Sequence, residues 1–279
     1  MREENHEREN ELLLLTDERN DVEALLKKAI ELKNLSRYEE AINMCEKAIE
    51  IDPQNKEPWY KKTTILFELN RNEEAIRSIE KVIENMPELA FGWYLKGYSL
   101  NLLNRFDEAI KYYDKALEID PKYPNASFNR GIALCEIGRY AEAIESWDKA
   151  IEIDHQDASA LYNKGIAYYK LNRFDETIKC CRKAIDINPI IEGAWNNMGL
   201  ALYELGRHEE AIECYDKAIE IEPQDINAWD NKANSLYSLG HYKEAFDCYD
   251  KLAEIAPEYM NAWFNKGIIC FTFECYEEA

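Results

Sequence analysis

Residues 192–225 read EGAWNNMGLALYELGRHEEAIECYDKAIEIEPQD, and the spacing inside this stretch decides the fold. Trp195, Gly199 and Leu202 fall at i, i+4 and i+7, one face of a first helix. Gly206-Arg207-His208 interrupts the pattern. Ala211, Ile212, Tyr215, Ala218 and Ile219 then mark one face of a second helix. Pro223 ends it, because proline has no N–H to continue the ladder and disfavours helix in the residue before it. The stretch therefore predicts two antiparallel helices joined by a short turn.

The same pattern extends in both directions. Pro53, Pro87 and Pro121 are spaced 34 residues apart, as are Pro189, Pro223 and Pro257, and His155 stands at the missing place. Gly97, Gly131, Gly165, Gly199 and Gly267 follow the same interval, with Ala233 in the gap. So do Trp59, Trp93, Trp195, Trp229 and Trp263. Three residue types agree on one period, which divides the chain into units 22–55, 56–89, 90–123, 124–157, 158–191, 192–225 and 226–259, with an eighth begun at 260–279. Positions are numbered 1 to 34 within a unit below.

Gly or Ala at position 8 and Ala at position 20 allow the two helices of a hairpin to approach, since the interaxial distance depends on the side chains between them. Position 20 is Ala in every unit except the fifth, where it is Thr177. The position-4 tryptophans are expected to fill the gaps between hairpins, so a Trp195→Ala change should cost roughly 3–5 kcal/mol if the site is fully buried. Position 7 carries Lys62, Lys96, Arg130, Lys164, Lys232 and Lys266, expected to be partly exposed with their stems on apolar surface.

The period and the Trp, Gly, Ala and Pro signature together resemble the tetratricopeptide-repeat family over residues 22–279. That resemblance implies an all-α, right-handed α-solenoid superhelix whose first helices line a concave, protein-binding side. The first unit is degenerate, with Leu25 and Ala29 in the Trp and Gly places. Residues 1–21 form a charged segment expected to be a capping helix or partly disordered. The eighth unit stops one turn into its second helix, which suggests a longer natural protein, since arrays end in polar caps.

On a first helix, position 6 lies away from the core stripe of positions 4, 8 and 11. It is Asn129, Asn163, Asn197, Asn231 and Asn265 in five successive units. A side-chain amide both donates and accepts, so it can pair with an extended peptide backbone whatever that peptide's side chains are. The row resembles the asparagine ladder in the repeat domain of O-GlcNAc transferases, and the expectation is a peptide-binding face. Aromatic residues flank it: Tyr60, Tyr94, Phe128, Tyr162 and Phe264 at position 5, and Phe67, Tyr169, Tyr203, Tyr237 and Phe271 at position 12. Of these, Tyr94, Phe128, Tyr162, Tyr169, Tyr203 and Tyr237 are taken with the asparagines as candidate groove residues. Their alternative role is packing on the neighbouring second helix.

Composition narrows the partner. Lys and Arg number 34 against 55 Asp and Glu, a net charge of −21. Nucleic acid and anionic membranes bind through Lys and Arg, so neither is an expected partner. No run approaches the ~20 apolar residues of a membrane helix. The Leu12–Leu15 stretch is too short for a signal sequence, and the expected location is the cytoplasm. The eight cysteines include no CxxC pair, and disulfides are not expected in such a chain. Cys180, Cys214 and Cys248 share position 23, but equivalent atoms ~10 Å apart on stacked hairpins are too distant for a bridge.

The four histidines, His6, His155, His208 and His241, form no nucleophile or base constellation, and no P-loop, GxGxxG or HExxH occurs. No catalysis, metal or cofactor is expected. Relatives that clamp chaperone tails need Lys at position 5 and basic residues at position 2, and this chain has neither. The reading is therefore a non-catalytic scaffold that binds a protein or peptide segment. A homo-oligomer formed through the array ends, and a substrate-recruiting arm of a larger enzyme, are the alternatives.

Overall fold

The chain is described by a computed structural model over residues 21–191 and 193–273. The expectations for the N-terminal charged segment and for the second helix of the eighth unit lie outside these residues. The chain divides between Ala133 and Leu134 into two compact units. The first contains α1, seen over residues 21–34, then α2 (Tyr38–Ile51), α3 (Lys56–Glu68), α4 (Asn72–Asn85), α5 (Ala90–Leu102) and α6 (Phe106–Ile119). Helix α7 (Pro124–Glu136) spans the division. The second unit contains α8 (Tyr140–Ile153), α9 (Ala158–Lys170), α10 (Phe174–Ile187), α11 (Ala194–Glu204), α12 (His208–Ile221), α13 (Ile226–Ser238), α14 (Tyr242–Ile255) and α15 (Met260–Phe273). The fold is all-α, and from α8 to α15 each helix packs on the next.

Each hairpin turn uses the same local device. The residue at position 15 has positive φ: Ser36, Asn70, Asn104, Gly138, Asn172, Gly206 and Gly240. Asn and Gly tolerate this left-handed conformation, which ends the first helix. The next residue is Arg in all but the last of these turns. Its guanidinium bonds a Glu three residues on, as in Arg105–Glu108 and Arg207–Glu210.

Position 20 is buried in the first seven units, and the one Thr is accommodated because Thr177 Oγ1 donates to the carbonyls of Gly165 and Arg173 at 3.2 Å. Position 8 is small because of position 24 on the partner helix. A Cβ on Gly97 would lie 2.8 Å from the Tyr113 ring, and one on Gly199 2.5 Å from the Tyr215 ring. Tyr113 and Tyr215 are fully buried, as is Trp147 at 1 % exposure. The largest cavity cost therefore belongs to position 24.

Among the position-4 tryptophans Trp59 is buried as expected, at 6 % exposure, whereas Trp93, Trp195, Trp229 and Trp263 are more open. Trp195 is half-buried and Trp263 is 50 % exposed. Each indole N–H donates to the carbonyl of the lattice proline six residues earlier: Trp59 to Pro53, Trp93 to Pro87, Trp195 to Pro189, Trp229 to Pro223 and Trp263 to Pro257. The indole clasps the connection between hairpins, and at Trp59 it is buried in the core as well. A full 3–5 kcal/mol cavity cost at Trp195 is thus too high.

The position-7 cations are also more organised than expected. Lys62, Lys96, Arg130, Lys164, Lys232 and Lys266 pair with Glu46, Glu80, Asp114, Asp148, Asp216 and Asp250, always sixteen residues earlier on the preceding hairpin. The Arg130–Asp114 and Lys232–Asp216 distances are both 2.6 Å. The one interruption is matched on both sides, since Met198 stands at position 7 where its would-be partner is Arg182. Two cations would repel there, and the buried methionine removes one of them.

Candidate functional site

In the second unit the first helices neighbour one another, α9 touching α11 and α11 touching α13. Between them opens a cleft of about 720 Å³, within the usual range for ligand sites. Tyr162 and Asn163 of α9 and Asn196 and Asn197 of α11 line it, with Asn227 at the start of α13. With Ser159 and Gln224, seven amide- or hydroxyl-bearing side chains thus converge on one depression. Glu222 and Asp225 also line it, and among the described residues no Lys, Arg or His does.

The cleft exists because one repeat departs from the pattern. Helices α9 and α13 begin at position 1 of their units, at Ala158 and Ile226, and are capped by Asp157 and Asp225. Helix α11 begins two residues late, at Ala194, and has no side-chain cap. Its N-cap is Gly193, with φ +74°, and a Cβ there would sit 2.5 Å from the Tyr162 hydroxyl. Only glycine satisfies both the backbone conformation and the approach of the tyrosine. Gly193, which lies off the 34-residue lattice, was the sequence signal for this site.

The five candidate asparagines are all half-buried. Asn129 and Asn163 donate to backbone carbonyls of their own helices, Asn125 at 2.9 Å and Ser159 at 2.8 Å. Asn197 Nδ2 donates to the Tyr162 hydroxyl at 3.1 Å, and Asn231 Nδ2 to Asn196 Oδ1 at 3.0 Å. Asn265 meets the Tyr249 hydroxyl. Three of the row therefore already bond residues outside their own helix. Each named bond uses one of the four hydrogen bonds an amide can make.

The aromatic candidates separate into three groups. Tyr162 lines the cleft. Tyr94 is only 7 % exposed, with its ring among Tyr98, Tyr113 and Tyr123, and burial pushes its hydroxyl pKa upward. It is a core residue, whereas Phe128 on α7 is half-buried. Tyr169, Tyr203 and Tyr237 lie at the opposite ends of α9, α11 and α13, edge-on to Phe174, His208 and Tyr242 at 5.5, 5.0 and 5.3 Å. None of the three lines the cleft. They close the hairpin ends, and Tyr169 also donates to Glu204 at 3.3 Å.

A smaller depression in the first unit lies between α1 and α3, lined by Ile30, Lys33, Tyr60, Lys61 and Thr64. Its two lysines are engaged, Lys33 with Glu68 at 2.6 Å and Lys61 with Glu57 at 3.3 Å. Among the described residues no group of His, Cys, Asp and Glu is arranged to hold a metal ion. No helix among them is long and apolar enough to cross a membrane.

Tetratricopeptide-repeat profiles match residues 35–91, 90–123, 112–145, 158–190, 193–225 and 226–259, and a TPR-repeat profile matches 131–172. A search of curated protein sequences gives no match. Among solved structures, a MamA protein is 28% identical with a TM-score of 0.59, covering 63% of this chain and 96% of its own. YrrB, described as a TPR protein with an unusual peptide-binding site, is 24% identical with a TM-score of 0.60, covering 68% and 97%. The C-terminal part of a TPR protein from Cytophaga hutchinsonii is 19% identical with a TM-score of 0.66, covering 86% and 98%. With its period, its hairpin turns and these matches, the chain belongs to the tetratricopeptide-repeat family, α-solenoid proteins that serve as protein–protein interaction scaffolds.

Proposed function

We propose that this scaffold holds an extended segment of a partner protein across α9, α11 and α13, with no catalytic step. The observation that carries the reading is the convergence of Tyr162, Asn163, Asn196, Asn197 and Asn227 on one cleft opened by the late start of α11. Amides at a regular spacing suit a peptide backbone, whose N–H and C=O groups alternate along an extended chain. YrrB has a peptide-binding site of its own, but a likeness at 24% carries only the fold, so the reading rests on this chain's cleft.

A random twelve-residue phage-displayed peptide library selected on the purified protein supplies a test. Selected peptides are then measured by calorimetry against Asn163→Ala/Asn227→Ala. Asn163 donates to its own helix, and among the described residues no side-chain bond ties Asn227 to another element, so the double variant should melt within a few degrees of the wild type. Loss of two peptide hydrogen bonds should weaken binding by about tenfold or more. Peptides that bind both proteins equally would rule the cleft out.

A further inference from the structure

Position 6 is Asn in the fourth to eighth units, but it is Lys27 and Lys61 in the first two. These two units form the depression between α1 and α3, about 280 Å³ in volume. Ala29 and Ile65 are its buried members, at 1 % and 2 % exposure. Ile30 and Tyr60, also in the lining, are left 43 % and 42 % exposed. Lys33 and Lys61 add cations, and among the described residues no carboxylate lines the depression. Their bonds to Glu68 and Glu57 leave capacity, since an ammonium has three donors and both pairs reach solvent, where such pairs are weak. The groove thus offers an apolar surface with lysines beside it, in a chain whose net charge is −21.

Residues 1–20 precede α1 and lie outside the described residues. Their sequence matches this groove in kind. The one apolar run is Leu12–Leu15, with Glu9 and Glu11 before it and Asp17 and Glu18 after it. Over the whole segment seven carboxylates stand against three arginines. The lengths match as well. Leu15 is six residues before Asp21, and six extended residues span up to ~20 Å. Ile30 is nine residues into α1, ~14 Å along its axis. Leu12 is nine residues before Asp21, a reach of up to ~30 Å, and Asn34 lies ~20 Å along the helix. A segment running back along α1 therefore brings its leucines to the groove.

We infer that the chain's own residues 1–20 occupy the α1–α3 groove, with Leu12–Leu15 on Ile30 and Tyr60 and the flanking carboxylates beside Lys33 and Lys61. The leucines cover apolar surface that is otherwise open to water. The same acidic segment is repelled by most of this molecule, and the lysines favour it here. Docking of this kind makes the groove an intramolecular site, closed to other ligands while the segment is in place. It is independent of the cleft among α9, α11 and α13.

The test uses the full chain with ¹³C-labelled Leu, Ile and Thr methyl groups. Methyls of Leu12–Leu15 should give nuclear Overhauser cross-peaks to those of Ile30 and Thr64, unchanged on dilution. Ile30→Ala/Tyr60→Ala should remove these cross-peaks while helical circular dichroism is retained. Leu12→Ser/Leu13→Ser/Leu14→Ser/Leu15→Ser, which leaves the repeats untouched, should shift the Ile30 and Thr64 methyls. A synthetic peptide of residues 1–20 added to that variant should restore them saturably. Adding Lys33→Gln/Lys61→Gln to the same background should weaken the peptide at least about fivefold. Absence of the cross-peaks, or wild-type Ile30 and Thr64 signals in the leucine variant, overturns the proposal. Cross-peaks found only between chains of a mixed labelled and unlabelled sample give the groove to a second copy and overturn it too. Equal peptide binding by the lysine variant overturns the charge match on which this occupant rests.

Discussion

At the scale of single residues, the pairing of position 8 with position 24 sets the closeness of a hairpin. A methyl group on Gly199 would enter the Tyr215 ring at 2.5 Å, and the ring is enclosed on all sides. Gly199→Ala is therefore expected to lower stability by about 1–3 kcal/mol despite the better helix propensity of alanine. Tyr215→Ala should cost more, about 3–5 kcal/mol, since it empties a fully buried site. Trp195→Ala should fall below that range because its indole is half-exposed and loses mainly one hydrogen bond. Urea denaturation of the three variants checks the order, and a Trp195→Ala loss equal to that of Tyr215→Ala would reverse it.

Between elements, the ion pairs sixteen residues apart join each hairpin to the next. Their cations are 15–21 % exposed and their carboxylates about half-exposed, so each pair contributes modestly, about 0.5–1 kcal/mol. The natural Arg182–Met198 combination shows how a rung is dismantled. Asp216→Arg places a second cation against Lys232 and should destabilise by more than Lys232→Met does. Asp216→Arg/Lys232→Met copies the natural combination and should recover much of the Asp216→Arg loss. A double-mutant cycle in urea gives the coupling directly, and strictly additive losses would remove the rung as a stabilising contact.

For the molecule as a whole, the ionisable groups within its core set a pH limit. Burial pushes Cys181 and Cys214 from 9.0 up to about 12, and Cys45 and Cys248 up to about 11. Tyr123 is likewise pushed up to about 12, and Tyr113 and Tyr215 further. These groups are neutral when folded and ionise more readily when unfolded. Their contribution is complete below the unfolded value near 9 and is lost as pH rises toward 12. The urea midpoint should hold between pH 7 and 8.5 and fall steeply above pH 9. Thiol titration with an aromatic disulfide at pH 8 should be slow until urea is added. A flat midpoint up to pH 11 would contradict the burial of these thiols.

The period of 34 residues made the hairpins, their turns and their boundaries legible, because these features follow from neighbours close along the chain: an apolar stripe at helical spacing, a left-handed residue, a terminating proline. The asparagine row was legible as a row, and two of its members, Asn163 and Asn197, line the cleft. The partners of those amides, the burial of Tyr94 and the closing of hairpin ends by Tyr169, Tyr203 and Tyr237 were not. The amide partners lie 16 or 35 residues away and come side by side only when helices stack, while the ring partners of Tyr169, Tyr203 and Tyr237 stand five residues on, across the hairpin turn, and those of Tyr94 include Tyr113 and Tyr123 of the next helix and its exit. The late start of α11 belongs to the same class. Gly193 is visible in the chain, but its consequence arises from the Tyr162 hydroxyl lying against it, a contact between repeats that no periodicity within one repeat encodes.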